Sequence, residues 1–146
     1  AIFTQHIERA TIQSLRIIDP YCCANDAARR RLVDFVGRFA NVSAGISSVQ
    51  IVSFDADALQ DNWESDDDQR RDLSTRIASK LPNAEFRHIQ KSRRSSDDLH
   101  DRSVTAVLDG GDRVIWDLGR GIDGVMTAKY ACTVNVYREL SIDAAA

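Results

Sequence analysis

The chain has 146 residues, of which 43% are hydrophobic and 28% charged, as in a folded domain and unlike a disordered or fibrous protein. Its formal net charge of -3 gives no bulk electrostatic attraction to nucleic acid or to an anionic membrane. No apolar run is long enough to span a bilayer, and the three cysteines make no disulfide framework. We expect one reduced, cytoplasmic domain over residues 1–146 that is part of a larger protein.

The charged residues are unusual in type and in distribution. Of the 19 basic residues, 16 are arginine, which reflects either a GC-rich genome or bidentate recognition of phosphate or carboxylate. Eight acids and two arginines lie between Asp55 and Asp72, whereas four bases and no acid lie between Arg87 and Arg94. We expect two solvated surfaces of opposite sign, with any anion site near the basic stretch.

The first predicted elements are a strand and a helix. The run from Leu15 to Ile18 is apolar and β-branched, and it ends at Asp19-Pro20, which cannot continue a strand. Asn25 and Asp26 are both suited to cap a helix that runs to about Ala40, in which apolar residues recur at helical spacing. Most of its arginines, including Arg29, are expected on the face away from the core.

Two more strands and a helix follow in the same alternation. Val49 to Phe54 is almost continuously apolar, which predicts a strand buried on both sides. Ser65 is suited to cap a helix that runs to about Lys80, with aspartates in its first turn and basic residues near its end. Glu85 to Ile89 is predicted as the third strand.

The last predicted elements are three strands. Arg102 to Leu108 and Arg113 to Leu118 flank Asp109-Gly110-Gly111-Asp112, which is a strong hairpin signal. Trp116 lies in the middle of its strand and is expected to pack in the core. Ala131 to Tyr137 alternates apolar and polar residues and is read as the final strand. The order β-α-β-α-β-β-β-β predicts an α/β sandwich with a mixed sheet.

The residues most suited to chemistry lie around the hairpin. In Leu99-His100-Asp101-Arg102, an imidazole that can attack or bind phosphorus is followed two residues later by a guanidinium. The next strand ends in Gly119-Arg120-Gly121, where glycines let the backbone approach an anion and Arg120 can clamp it. The alternative interpretation is that His100 is a surface histidine beside an ion pair of the strand, and that Gly119 and Gly121 form an ordinary turn at the end of the next strand.

Several other site types are disfavoured. His6, His88 and His100 lack metal-ligand spacing, and the chain has no glycine-rich phosphate loop with Lys-Ser/Thr, no dinucleotide fingerprint and no Cys-x-x-Cys pair. We therefore expect no metal and no cofactor. Cys22 and Cys23 are interpreted as small packing residues rather than reactive thiols.

Four short segments together resemble a known family. The segments are Ile18-Asp19-Pro20-Tyr21, Arg31-Leu32-Val33-Asp34-Phe35, Leu99-His100-Asp101-Arg102 and Leu118-Gly119-Arg120-Gly121-Ile122-Asp123. In this order they resemble the phospholipase-D-like domain at the C-terminus of proteins with a microtubule-interacting and trafficking (MIT) domain, and its prokaryotic relatives. The resemblance covers most of the chain, roughly Leu15 to Tyr137.

The resemblance implies a phospholipase-D-like α/β/α sandwich with a mixed sheet. Active members of that superfamily use a His-x-Lys-x4-Asp motif, whose histidine is the nucleophile and whose lysine binds phosphate, and two motifs meet in one site. Here Arg102 replaces the lysine, and the next aspartate, Asp109, follows after six residues. With one such motif, catalysis would require a homodimer.

The departures from the active motif favour binding over turnover, as in the MIT-type relatives, which look like non-hydrolytic modules that dock on phosphoinositide-containing membranes. We expect a non-catalytic module for a phosphate-bearing ligand, either a phospholipid headgroup or a nucleic-acid backbone. The predicted partners also include a peripheral membrane contact, a second copy of the chain and other domains of a larger protein. The predicted ligand-binding residues are His100, Arg102, Arg120, Arg93, Arg94, Asp19 and Tyr21. For Asp19 and Tyr21 the alternative is a structural role, in which Asp19 caps the loop after the strand.

Two alternatives remain open at this point. One is a dimeric phosphodiesterase or nuclease in which His100 of each subunit is the nucleophile. The other is a protein-interaction or regulatory module, whose partner would contact the acidic stretch from Asp55 to Asp72 together with Trp63.

Overall fold

The structure is a computed structural model that describes residues 4–57, 59, 64–92, 102–119, 121–127 and 134–141. It is an α/β fold with one six-stranded mixed sheet, as the sequence predicts. The strands are β1 (Thr11–Ile18), β2 (Gly45–Phe54), β3 (Glu85–Lys91), β4 (Ser103–Leu108), β5 (Arg113–Leu118) and β6 (Val134–Glu139). The helices are α1 (Asp26–Val42), α2 (Asp66–Lys80) and α3 (Gly121–Thr127), of which the short α3 was not predicted.

The order of strands across the sheet is β3-β2-β1-β4-β5-β6. β1, β2 and β3 are parallel, whereas β4, β5 and β6 pair antiparallel to their neighbours. The chain therefore moves outward from β1 to β3 and then returns to the other side of β1. In α/β sheets the carboxyl end of the strand at which the order reverses commonly forms a ligand-binding crevice. Here that strand is β1, and β4 begins and β5 ends beside it.

The described helices contribute to one core layer. The crossovers through α1 and α2 run in the same direction along the sheet, which puts both helices on the same face. Apolar residues of α1, α2 and α3 join the inward residues of the strands in one cluster, and Phe39 packs edge-on against the fully buried Trp116. Trp116 is thus a core residue, as predicted. The second helical layer of an α/β/α sandwich is not found within the described ranges.

β2 lies between two apolar clusters. Val49 and Ile51 face the main cluster, whereas Val52 and Phe54 form a smaller cluster on the opposite face of the sheet. The end of β2, from Ile51 to Phe54, is therefore buried on both sides as predicted, whereas Gln50 is only half-buried. In the part of the chain that the structure describes, no helix is both long enough and apolar enough to cross a membrane.

Arg29 was predicted on the solvent-facing side of α1, and this prediction is wrong. Its side chain is only 3% exposed, and all of its donor groups reach acceptors. Nε donates to Asp72 over 2.6 Å, Nη2 to Glu64 over 2.7 Å, and Nη1 to the carbonyl of Cys23 over 3.0 Å. The helical spacing shows which residues face the sheet, but it does not show that α2 packs beside α1 and supplies carboxylates to Arg29.

Arg29→Met should destabilise the fold, since it keeps much of the apolar volume but removes every bond from α1 to Glu64 and Asp72. We expect a loss of about 2–3 kcal/mol in the free energy of unfolding, less than for a fully buried pair. The reduction follows because the two carboxylates are 36% and 34% exposed and stay partly solvated. Urea unfolding measures the change. Arg30→Met is the matched control, since Arg30 is 64% exposed, and an equal loss in both variants would contradict this account.

Candidate functional site

Asp19 lies directly after β1 and is 4% exposed. One carboxylate oxygen accepts the N–H of Tyr21 over 3.0 Å, and the other accepts the N–H of Ile122 over 2.9 Å. The first bond shapes the turn that ends β1, and the second holds the start of α3 against it. Asp19 therefore joins two segments that are far apart in the sequence at the crevice beside β1.

Gly121 is the residue that lets α3 approach Asp19. Its φ of +69° lies in the left-handed region, and a Cβ there would lie 2.4 Å from Asp19 Oδ2 and 3.0 Å from Arg102 Cδ. Any side chain would collide with the carboxylate. The sequence predicted that this glycine admits the backbone to an anion, and in this structure the anion that it admits is the carboxylate of Asp19.

Arg102 precedes β4 and is half-buried at the same edge of the sheet. Its carbonyl accepts the N–H of Leu118 over 2.8 Å, which fixes its backbone against the end of β5. Its guanidinium carbon lies 5.8 Å from the centroid of the Tyr21 ring, in cation–π range. Tyr21 is 45% exposed and packs edge-on against Phe54. Within the described residues, no carboxylate forms an ion pair with Arg102.

The structure brings together three of the seven predicted binding residues, namely Asp19, Tyr21 and Arg102. The other four predicted residues lie outside the described ranges: His100, Arg93, Arg94 and Arg120. Across the described residues, no group of three histidine, cysteine or carboxylate side chains could hold a metal ion. The described part of the crevice therefore presents a positioned cation beside an aromatic ring, an arrangement suited to binding an anion.

A second cluster of reactive residue types was not predicted. His88 on β3 is 8% exposed, and its Nε2 lies 2.8 Å from the hydroxyl of Ser53 on β2. His88 Nδ1 has no hydrogen-bond partner in the described structure. The sulfurs of Cys22 and Cys23, both buried, are 3.7 Å apart beside it. The one available signal was an inward-facing polar residue at position 88 of an otherwise ordinary strand.

The two thiols titrate very differently. The hydrogen bond with Cys22, together with interactions with His88 and Ser53, lowers the pKa of Cys23 to about 6, although burial opposes this shift. The same contact between the thiols, followed by burial, raises the pKa of Cys22 well above its ordinary value. The two thiols therefore do not titrate independently of each other. Both cysteines pack in the core, and this burial sets Cys23 apart from the partly exposed thiols that react readily, despite its lowered pKa.

Comparison with known proteins adds no relative: no protein-family model matches the chain, and no curated protein matches it.

Gly121→Ala should lower the free energy of unfolding more than a matched glycine substitution elsewhere in the chain. Gly110 also has a positive φ of +91°, but a Cβ there would meet open space. We expect Gly110→Ala to cost about 1 kcal/mol from backbone strain alone, and Gly121→Ala to cost at least about 2 kcal/mol because of the added collision. Urea unfolding of both variants measures the difference. Equal losses would show that the contact with Asp19 is not needed.

The lowered pKa of Cys23 predicts that the stability of the fold increases with pH. A thiol whose folded pKa is about 6 and whose ordinary value is 9.0 stabilises the fold fully above pH 9. That stabilisation is lost as the pH falls toward 6, so stability should rise between these values in the wild type and rise less in Cys23→Ser. Thermal unfolding across this range measures the slope, and thiolate absorbance in a Cys132→Ser background locates the titration. An unchanged slope in Cys23→Ser would contradict the assignment.

Proposed function

We propose that the domain is a non-catalytic, phospholipase-D-like module whose crevice at the end of β1 binds a phosphate-bearing ligand. The ligand is a phospholipid headgroup or a nucleic-acid backbone, which share the phosphodiester or phosphomonoester group. The observation that carries the proposal is Arg102, which is held against Tyr21 and forms no ion pair with any carboxylate of the described residues.

The backbone around the crevice is held by hydrogen bonds within the protein. Asp19 and Gly121 fix the turn after β1 and the start of α3, and Arg102 packs against both segments. A guanidinium that is already positioned loses less conformational entropy on binding than a mobile surface arginine. Its partial burial also strengthens its attraction to phosphate, because the surrounding medium is less polar than water.

The residue types favour binding over hydrolysis. An arginine side chain holds phosphate bidentately and, unlike lysine, is not suited to deliver a proton to a leaving group, so Arg102 in place of the lysine favours binding. His100 precedes Arg102 by two residues, and Arg120 directly precedes Gly121. Both therefore remain in the proposed binding set, with Arg93 and Arg94 adding positive charge from the preceding segment.

Arg102→Ala should weaken binding to vesicles that contain phosphatidylinositol phosphate, or to an oligonucleotide, by at least about tenfold. Arg102→Lys should retain part of the affinity, because it keeps the charge and loses the bidentate geometry. Arg113→Ala is the matched control, since Arg113 is an exposed arginine at the opposite edge of the sheet. Vesicle co-sedimentation and fluorescence anisotropy measure the two ligands separately.

The proposal fails if the Arg102→Ala/Arg120→Ala double variant binds both ligands as the wild type does, or if the wild type binds neither. Hydrolysis of bis-p-nitrophenyl phosphate that is lost in His100→Ala would replace it with the phosphodiesterase alternative. Binding to a protein partner that is lost on charge reversal of Asp66 to Asp68, with no phosphate ligand bound, would replace it with the interaction module.

A further inference from the structure

The face of the sheet opposite the main core cluster carries a row of polar residues across three neighbouring strands. The register pairs Arg16 on β1 with Gln50 on β2, and Gln50 with Arg87 on β3. Facing residues in adjacent strands point to the same side of the sheet. The two arginines therefore flank the Gln50 amide on one surface.

A second polar row lies next to the first, toward the amino ends of these strands. It consists of Ser14, Ser48 and Glu85, which are also in register with one another. Both rows line an open groove of about 660 Å³. That volume falls within the range of small-molecule sites, roughly 300–1,000 Å³.

The arginine row is available to a ligand. Arg16 and Arg87 are exposed, and neither forms an ion pair with a carboxylate in the part of the chain that the structure describes. One strand separates them, so their Cα atoms are about 10 Å apart. Two arginine side chains at this spacing are long enough to converge above Gln50 and to clamp one phosphate between them.

The second row supplies a different chemistry. It lies two residues away along each strand, about 7 Å from the arginines, which is close to the width of a sugar ring. The hydroxyl of Ser48 donates to the carbonyl of Gln13 over 3.1 Å, so its oxygen is left to accept. The Glu85 carboxylate also accepts, and both suit the hydroxyl groups of a polyol.

We propose that this groove binds a phosphorylated polyol such as a sugar phosphate. Arg16 and Arg87 hold the phosphate, and Ser14, Ser48 and Glu85 hydrogen-bond to the hydroxyl groups. The site is separate from the crevice at Arg102, because the apolar residues Ile18, Val52 and Ile89 lie between the two on this face.

The residue types favour a small polyol over a single-stranded nucleic acid. Sequence-tolerant binding of single strands depends on aromatic side chains on which the bases stack. The two rows contain arginine, glutamine, serine and glutamate only, and Phe86, which lies between Glu85 and Arg87, packs against the main core cluster. A carboxylate at Glu85 would also repel a run of backbone phosphates.

The test is an NMR titration of the full chain with glucose 6-phosphate, with glucose and inorganic phosphate as the component probes. We expect glucose 6-phosphate to shift the amides of Arg16, Ser48 and Gln50, with affinity at least about tenfold above that of either component. Arg16→Ala/Arg87→Ala should lose at least about tenfold in affinity, whereas Arg113→Ala, on the same face, should not. Arg102→Ala should leave this binding unchanged, which separates it from the proposed phosphate crevice.

A second variant tests the polyol row by itself. Glu85→Gln should lower the affinity for glucose 6-phosphate relative to the affinity for inorganic phosphate. Removing the negative charge favours the phosphate group of both ligands, whereas the weaker acceptor at position 85 affects only the hydroxyl groups of the sugar. The proposal is overturned if none of the probes binds, if inorganic phosphate binds as tightly as the sugar phosphate, or if the double variant binds normally. Tighter binding of a single-stranded oligonucleotide to the same amides would overturn it in favour of a nucleic-acid surface.

Discussion

The crevice depends on one buried carboxylate. Asp19 accepts one N–H from the turn after β1 and another from the first turn of α3, so it fixes the relative position of these two segments. The close approach of α3 requires a residue without a side chain, and Gly121 meets that requirement with a positive φ. The side chain of Arg102 lies against the same glycine and over the Tyr21 ring, so these two contacts position its guanidinium. The proposed phosphate site therefore rests on a contact within the protein.

Much of this arrangement follows from the sequence because it depends on local signals. The two glycines of the hairpin, the capping residues of α1 and α2 and the alternation of strands and helices are readable within short windows. Asp19, Tyr21 and Arg102 could be grouped because each lies at the end of a predicted strand, where α/β sheets bind ligands, and because the family resemblance includes all three segments. The structure does group these three residues.

The features that the sequence did not predict depend on neighbours distant in the chain. Arg29 was assigned to the exposed side of α1 because it is charged, although Leu32, Val33 and Val36, which lie three, four and seven residues further on, are all buried. Its burial depends on the carboxylates that the segment from Glu64 to Asp72 brings to it. His88 looks like an isolated strand residue until the pairing with β2 brings it to Ser53 and the loop after β1 brings Cys23 beside them. The periodicity of a short segment cannot predict the contacts of Arg29 or those of His88, because their partners lie far away in the sequence.

Several arginines of the chain fall into two groups with different structural roles. Arg29 and Arg76 belong to a network of ion pairs that joins α1 to α2, where a planar, multiply donating group satisfies several carboxylates at once. Arg102, Arg16 and Arg87 form no such pairs within the described residues and lie where a ligand could reach them. A net charge of -3 is compatible with this division, because local pockets for one or two phosphates need no positive charge overall.

The most direct test of the central claim is an NMR titration with an inositol phosphate, followed at the backbone amides of Tyr21 and Ile122. These amides donate to Asp19 and report on the crevice from both of its sides. We predict saturable shifts at both amides in the wild type and in Arg113→Ala, and their loss in Arg102→Ala. Shifts of the same size in Arg102→Ala, or no shifts in the wild type, would contradict a phosphate site at the end of β1.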